Sequence, residues 1–257
     1  MGFRFLPLLA ALLAAGPALA NKSPAPGNLE VVADGALSAP GSYTVAVGTR
    51  LSRLLATTQP TADAYLPALA LYRPHARLQQ VRLRAGLQHD LDLLEEHQDP
   101  QIADAAAGLS RWLQDHPASG RIRLPVNDMR LMQVQAGSDP VLEQGDVLIA
   151  PRRPATITVV GAVESTCELT HQPLRDAHEY LRECAVTPAA DRDELYVVQP
   201  DMTVQKIGIA LWNRSDPQPV APGGVIFVPL RQHAVAAVDS TFNAEFAAFI
   251  ATQALQP

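Results

Sequence analysis

Two cysteines and two histidines share one stretch of this chain, spaced Cys167-x3-His171-x6-His178-x5-Cys184. Thiolate and imidazole are the usual ligands of zinc, so this grouping could hold a metal. The spacing fits no standard zinc pattern, and there is no C-x-x-C pair. The other chemistry open to Cys167 and Cys184, the only cysteines present, is a disulfide. Compartment decides between the two. A second grouping, "HDLDLLEEHQD" from His89 to Asp99, gathers acids around two histidines. His89 and His97 stand eight residues apart, about two helical turns, and would have to converge on one face to bind a metal. As the solvated face of a helix, the same residues need no partner. A third candidate is Arg121, directly after Gly120 in "PASGRIRLP". Its guanidinium could grip a carboxylate or phosphate of a ligand, or hold backbone carbonyls or an acid such as Asp115. No G-x-S-x-G, H-E-x-x-H or P-loop is present, so no catalytic residue, metal ligand or cofactor site is predicted.

Compartment is read from the start of the chain. "MGFRFLPLLAALLAAGPALA" carries Arg4, then an apolar run too short to span a bilayer, then Ala18-Leu19-Ala20 before Asn21. This predicts a cleaved signal peptide over residues 1–20, an exported protein, and no transmembrane segment after cleavage. Export favours a Cys167–Cys184 disulfide over zinc. Across 257 residues the net charge is −6, which disfavours nucleic acid as a partner. Prolines, 22 of them, are scattered as in a loop-rich β protein.

The elements that must position these residues come in two copies. "DPVLEQGDVLIAPRR" is echoed by "PQPVAPGGVIFVPLR", with Gly145, Val147 and Pro151 each 78 positions before Gly223, Val225 and Pro229. Upstream, Gly35-Ala36-Leu37 matches Gly161-Ala162-Val163 at an offset of 126. Between these, Asp128-Met129 pairs with Asp201-Met202 at an offset of 73, which gives the first copy a net insertion of 53 residues. Each copy reads as a hairpin, a helix, a second hairpin and a final apolar strand. The helices are "LSRLLATT" (Leu51 to Thr58) and "LRDAHEYLREC" (Leu174 to Cys184). A glycine starts the last strand and a proline ends it. This plan predicts an α+β chain of two tandem β-grasp domains, at about 29–153 and 154–232.

The insertion, about 76–117, predicts a helical hairpin. Leu87, Leu91 and Leu94 fall on one face of its first helix, and Asp99-Pro100 caps the second. Ile102, Ala105, Ala106, Leu109, Trp112 and Leu113 keep helical spacing until Pro117, with Trp112 expected inside the hairpin. The tail, 235–257, predicts an amphipathic helix with Phe242, Phe246, Phe249 and Ile250 on one stripe. That stripe suits packing on its own domain, a partner, or a membrane surface, the last disfavoured by the absence of a basic face.

Taken together, the leader, "VADGALSAPGSYTV", "SGRIRLPVNDMRLM", "LEQGDVLIAPRRPATITVVGAV", "YVVQPDMTVQKIGIALWNRS" and "APGGVIFVPL" resemble the GfcC family of capsule-biosynthesis proteins. The resemblance runs from about Leu29 to the C-terminus. It implies two β-grasp domains similar to those of the polysaccharide exporter Wza, of the soluble-ligand-binding (SLBB-like) type. It also implies a periplasmic protein without enzymatic activity or cofactor, serving capsule or exopolysaccharide assembly and export. Expected partners are polysaccharide or outer-membrane polysaccharide export proteins, met by a monomer. The family's cleft arginine matches Arg121. Two departures stand out: Met202 occupies a turn position where glycine is expected, and the Cys167–Cys184 pair is not a family trait. A polysaccharide-modifying enzyme, or a structural partner of the outer-membrane channel, are the alternative readings.

Overall fold

The computed structural model describes residues 27–124, 129–253 and 255; the expected leader and Asp128 lie outside the described residues. The first sheet is built from β1 (Asn28–Gly35), β2 (Gly41–Ala46), β3 (Ala70–Tyr72), β4 (Arg121–Ile122) and β5 (Val147–Ala150), with α1 (Leu51–Thr58) between β2 and β3. Between β3 and β4 run the long helices α2 (Arg77–Glu95) and α3 (Pro100–Asp115), and α4 (Met129–Val134) precedes β5. The second sheet holds β6 (Thr156–Gly161), β7 (Cys167–Thr170), β8 (Glu194–Val198), β9 (Val204–Gly208) and β10 (Val225–Val228), with α5 (Ala177–Tyr180) between β7 and β8. Two helices follow, α6 (Gln232–Val235) and α7 (Phe242–Ala251).

The strand orders are β2-β1-β5-β3-β4 and β7-β6-β10-β8-β9, the same topology twice. In each sheet the first strand runs parallel to the last, and every other pairing is antiparallel. The repeat seen in sequence is therefore a repeat of structure. Gly35 and Gly161 hold equivalent places, with φ of +93° and +114°. A Cβ on either would lie 2.3 Å from the Ala150 oxygen or 2.1 Å from the Val228 oxygen, so only glycine lets the strands approach this closely. The next amides, of Ala36 and Ala162, donate to those same two oxygens.

Register corrects one part of the sequence reading. Tyr72 pairs with Val147 and Val198 with Val225, so the offset of 126 persists to the end of β3 and β8. Tyr72 also pairs with Arg121, and Val198 with Val204. The whole helical hairpin thus replaces the short turn at 199–203. Arg121, not Asp128, begins the strand equivalent to the one after Asp201-Met202. The match of Asp128-Met129 to Asp201-Met202 was a local likeness without structural equivalence. Met202 itself takes φ +70°, the left-handed conformation for which a glycine is expected.

The hairpin follows its pattern. Leu87, Leu91 and Leu94 are fully buried, as are Ile102, Ala106 and Leu113. The Asp99 carboxylate accepts from the Gln101 amide at 3.0 Å, closing the first turn of α3. Its other oxygen pairs with Arg231, which holds the carboxyl below its usual pKa and ties α3 to the end of β10. The buried face does not serve the sheet from which the hairpin grows. It joins Ile157, Val159 and Phe227 of the second sheet and Phe242, Phe246 and Phe249 of α7 in one core. A smaller core under the first sheet gathers Val31, Leu51, Leu55, Leu71 and Leu148. Trp112 lies at the seam between the hairpin and α7, with Phe246 and Phe249 at 5.5 and 6.4 Å.

Two helices are shorter than their patterns. The segment from Leu174 to Cys184 forms only the single turn of α5, because Leu174 adopts φ +59° and points into solvent. Its anchors are Ala177, Tyr180 and Cys184, all buried. The tail helix covers Phe242–Ala251 within the expected 235–257, and its four large apolar residues are buried against the second core. The stripe faces inward, so it is not offered to a membrane or a partner. Cys167 and Cys184 form the disulfide, Cα atoms 6.0 Å apart, joining the edge strand β7 to the segment after α5.

Phe246→Ala should lower unfolding free energy by about 3–5 kcal/mol in urea, since it opens the core shared by hairpin, sheet and tail. The double variant Cys167→Ser/Cys184→Ser should lose about 3 kcal/mol, read as a lower urea midpoint with the fold retained.

Candidate functional site

The hairpin enters and leaves the first sheet at one point. The Arg73 amide donates to the Gly120 oxygen at 2.9 Å, and Gly120, at φ +83°, sits so close that a Cβ would lie 2.8 Å from the Arg73 oxygen. The Arg73 guanidinium grips Asp146 through Nε and Nη2 at 3.0 and 2.9 Å and reaches Glu143 at 2.8 Å. The Asp146 side chain is fully buried, and this pairing raises the Arg73 pKa above its ordinary value. On the other strand of the root, Gln80 from α2 receives the Gly120 amide at 2.7 Å and donates to the Arg121 oxygen at 2.8 Å. The Ser119 hydroxyl donates to the Thr252 oxygen at 2.7 Å and accepts from the Arg121 amide at 3.0 Å.

These bonds aim the Arg121 side chain into the seam beneath α7, where the residue is only 4% exposed. Its Nη1 donates to the Gln253 oxygen at 3.0 Å and to the Ala251 oxygen at 3.5 Å; its Nη2 donates to the Pro200 oxygen at 2.5 Å. Nε has no hydrogen-bond partner among the described residues. Burial pulls the guanidinium pKa down from its usual value, and no carboxylate touches it among the described residues. Its charge is met instead by carbonyl dipoles at the C-terminal end of α7, the negative end of a helix. Of the partners weighed for Arg121 from sequence, the carbonyls are therefore occupied and Asp115 is not used.

Arg121 borders a cleft of about 220 Å³, which also takes in Trp112, His116, Gln199, Val225 and Ile250. Trp112 and His116 stack at 3.8 Å with nearly parallel rings, and the His116 ring nitrogen Nδ1 lies 2.6 Å from the Trp112 oxygen. The cleft thus offers an aromatic wall, an amide and a buried cation. None of its described lining residues is a carboxylate, so the acid pair needed by a polysaccharide-cleaving enzyme is not found here.

The family described as "Capsule biosynthesis GfcC C-terminal" matches residues 165–254. Over that stretch the chain is similar to the GfcC family. It is also similar to the "Uncharacterized protein YjbG" of Escherichia coli (strain K12), 29% identical over 155 residues. That alignment covers 60% of this chain and 62% of the relative's length. The GfcC match begins just before β7 and ends past α7. It includes the carbonyls of Pro200, Ala251 and Gln253 that Arg121 holds, while Arg121 itself lies outside it.

The other sequence candidates fall elsewhere in the fold. His89, Asp92, Glu95 and Glu96 lie on the exposed face of α2, opposite Leu91 and Leu94. The His97 Nδ1 atom accepts from the Asp99 amide at 3.0 Å, a role in the turn between helices. No set of three or more His, Cys, Asp or Glu side chains among the described residues converges as a metal site. Both sulfurs of the Cys167–Cys184 pair are spent on each other. Sequence reading missed Gln80, Arg73 and Asp146. Nothing short-range marks them, since Arg73 and Asp146 are 73 residues apart.

Arg121→Ala should cost about 3 kcal/mol, because it strands buried carbonyls and removes charged donors. Arg121→Lys should recover part of that loss. Urea unfolding gives the energies, and faster proteolytic removal of the tail in the alanine variant would place the damage at the end of α7.

Proposed function

We propose that this chain is a non-enzymatic periplasmic accessory of capsule or exopolysaccharide assembly and export, contacting the polymer or its export machinery. The observation that carries the reading is the GfcC match over residues 165–254, within a chain whose two sheets share one strand order. In this proposal the two units are tandem β-grasp domains, at 29–153 and 154–232, with the hairpin bridging from the first to the second. The common strand order, with first and last strands parallel at the centre, supports it. The disulfide fits an oxidising compartment outside the cytoplasm. No helix among the described residues is long and apolar enough to cross a membrane.

On this reading the protein acts as a monomer without a cofactor, and Arg121 is the polar anchor of its cleft. The guanidinium fixes the tail through its two terminal nitrogens. With the guanidinium spent there, the cleft beside Trp112 is left to take a sugar ring of the polymer.

Deleting the gene, with surface and periplasmic polysaccharide quantified separately, tests the function. Polymer that accumulates in the periplasm, or sheds from the cell, is the expected result. Polymer unchanged in amount and place would refute the assignment.

A further inference from the structure

An opening larger than the Arg121 cleft lies away from it, on the second sheet's opposite flank. A cavity of about 500 Å³ has an apolar floor of Leu181, Val186, Pro188, Ala190, Ile209 and Val228. Asp191 and Arg192 stand at its edge. It runs into a polar pocket of about 220 Å³, edged by Asp176, Glu179, Arg214, Ser215 and Asp216. His178, Arg182 and Ile209 line both, so the two form one groove with an apolar half and a polar half.

Three features of this groove point to a ligand. Among the described residues, the side chains of Arg182 and Arg192 have no hydrogen bond or ion pair, although carboxylates stand near. The loop after β9 projects Leu211 and Trp212, 91% and 76% exposed, where the first copy instead forms α4 and buries Met132 in its core. The indole lines neither pocket but is tethered to a groove residue in two steps: Nε1 donates to Asp193 at 3.3 Å, and the Asp193 amide donates to Asp191. An exposed indole two residues from Arg214, together with the groove's apolar floor and its guanidinium groups, matches the two faces of a sugar. Its C–H face packs on aromatic and aliphatic surface, while hydroxyls and carboxylates take charged hydrogen bonds.

We infer that this groove binds a segment of oligosaccharide carrying uronate carboxylates, with Trp212 against a sugar ring and Arg182, Arg192 and Arg214 on its polar groups. The inference rests on the capsule reading above and gives its polymer a second, longer contact. The disulfide supports the groove's wall, since Cys184 ends the segment bearing His178, Leu181 and Arg182.

The test uses the mature protein and two probes, an alginate hexasaccharide and neutral maltohexaose, followed by tryptophan fluorescence and calorimetry. The alginate probe should change emission, and Trp212→Phe should remove that change while Trp112→Phe keeps it. Arg182→Ala/Arg214→Ala should weaken binding roughly tenfold or more, as expected for lost charge-assisted bonds. Both arginines are exposed, so matching thermal unfolding curves will certify the fold. Absence of binding by either probe at millimolar concentration overturns the inference. So does preference for maltohexaose, or a signal lost with Trp112→Phe, which would move the contact to the Arg121 cleft. In cells, a deletion phenotype fully rescued by the double arginine variant sinks the groove and leaves the capsule function standing. A deletion without phenotype sinks the function itself.

Discussion

A buried guanidinium at the end of a helix holds the parts of this molecule together. Arg121 comes from the exit of the hairpin, Pro200 from the turn between β8 and β9, and Ala251 and Gln253 from the end of α7. A charge without a carboxylate in contact is costly to bury unless dipoles replace its water. The last carbonyls of a helix are such dipoles, and they lack partners of their own. Each side thus removes the other's penalty. The arrangement works only with the hairpin, the second sheet and the tail in one place, so one side chain couples segments some 130 residues apart.

That coupling accounts for the unequal cores. In the first sheet β5 alternates between buried and half-buried residues, with α1 over one face. In the second, Leu195 to Val198 and Ile226 to Val228 are buried without interruption, the mark of a sheet covered on both sides. The second covering comes from the hairpin and α7. The second copy's own helix, α5, is a single turn and could not supply it. The hairpin is therefore an insertion of the first copy by connectivity and a layer of the second by packing.

Much of this was legible because it rests on local chemistry. Glycines at positive φ, prolines that end strands, the Asp99-Pro100 start of α3 and the apolar face of α2 each leave a short-range mark. The disulfide followed from two cysteines and an expected compartment. What escaped the sequence depends on distant backbone. The register of the insertion is set by ladder bonds, so a two-letter likeness at Asp128-Met129 could mislead. The partners of Arg121 are carbonyls, which every residue carries and which no motif announces. Arg73 and Asp146 meet only because the hairpin root brings β3 to the turn before β5. The brevity of α5 traces to Leu174, whose helical spacing was coincidental because its backbone is left-handed.

The duplication also separates frame from face. Thr61 and Thr187 make the same pair of bonds to Ala36 and Ala162, and Tyr65 and Asp191 each donate a backbone amide to the proline that ends the last strand. Those contacts involve backbone or a small hydroxyl, so they hold the frame whatever the larger side chains become. The side chains at the same frame positions differ. Where the first copy has Tyr65 and Leu66, the second has Asp191 and Arg192. Where the first fills the space before its last strand with α4, seating Met132 beside Leu54 and Leu55 in its core, the second leaves an irregular loop with Leu211 and Trp212 in solvent. An apolar pair held outward costs hydration that burial would have recovered. A frame able to bury the corresponding stretch in one copy had the means to bury it in the other. The open, charged flank of the second copy is thus the part of the duplication that folding alone does not account for.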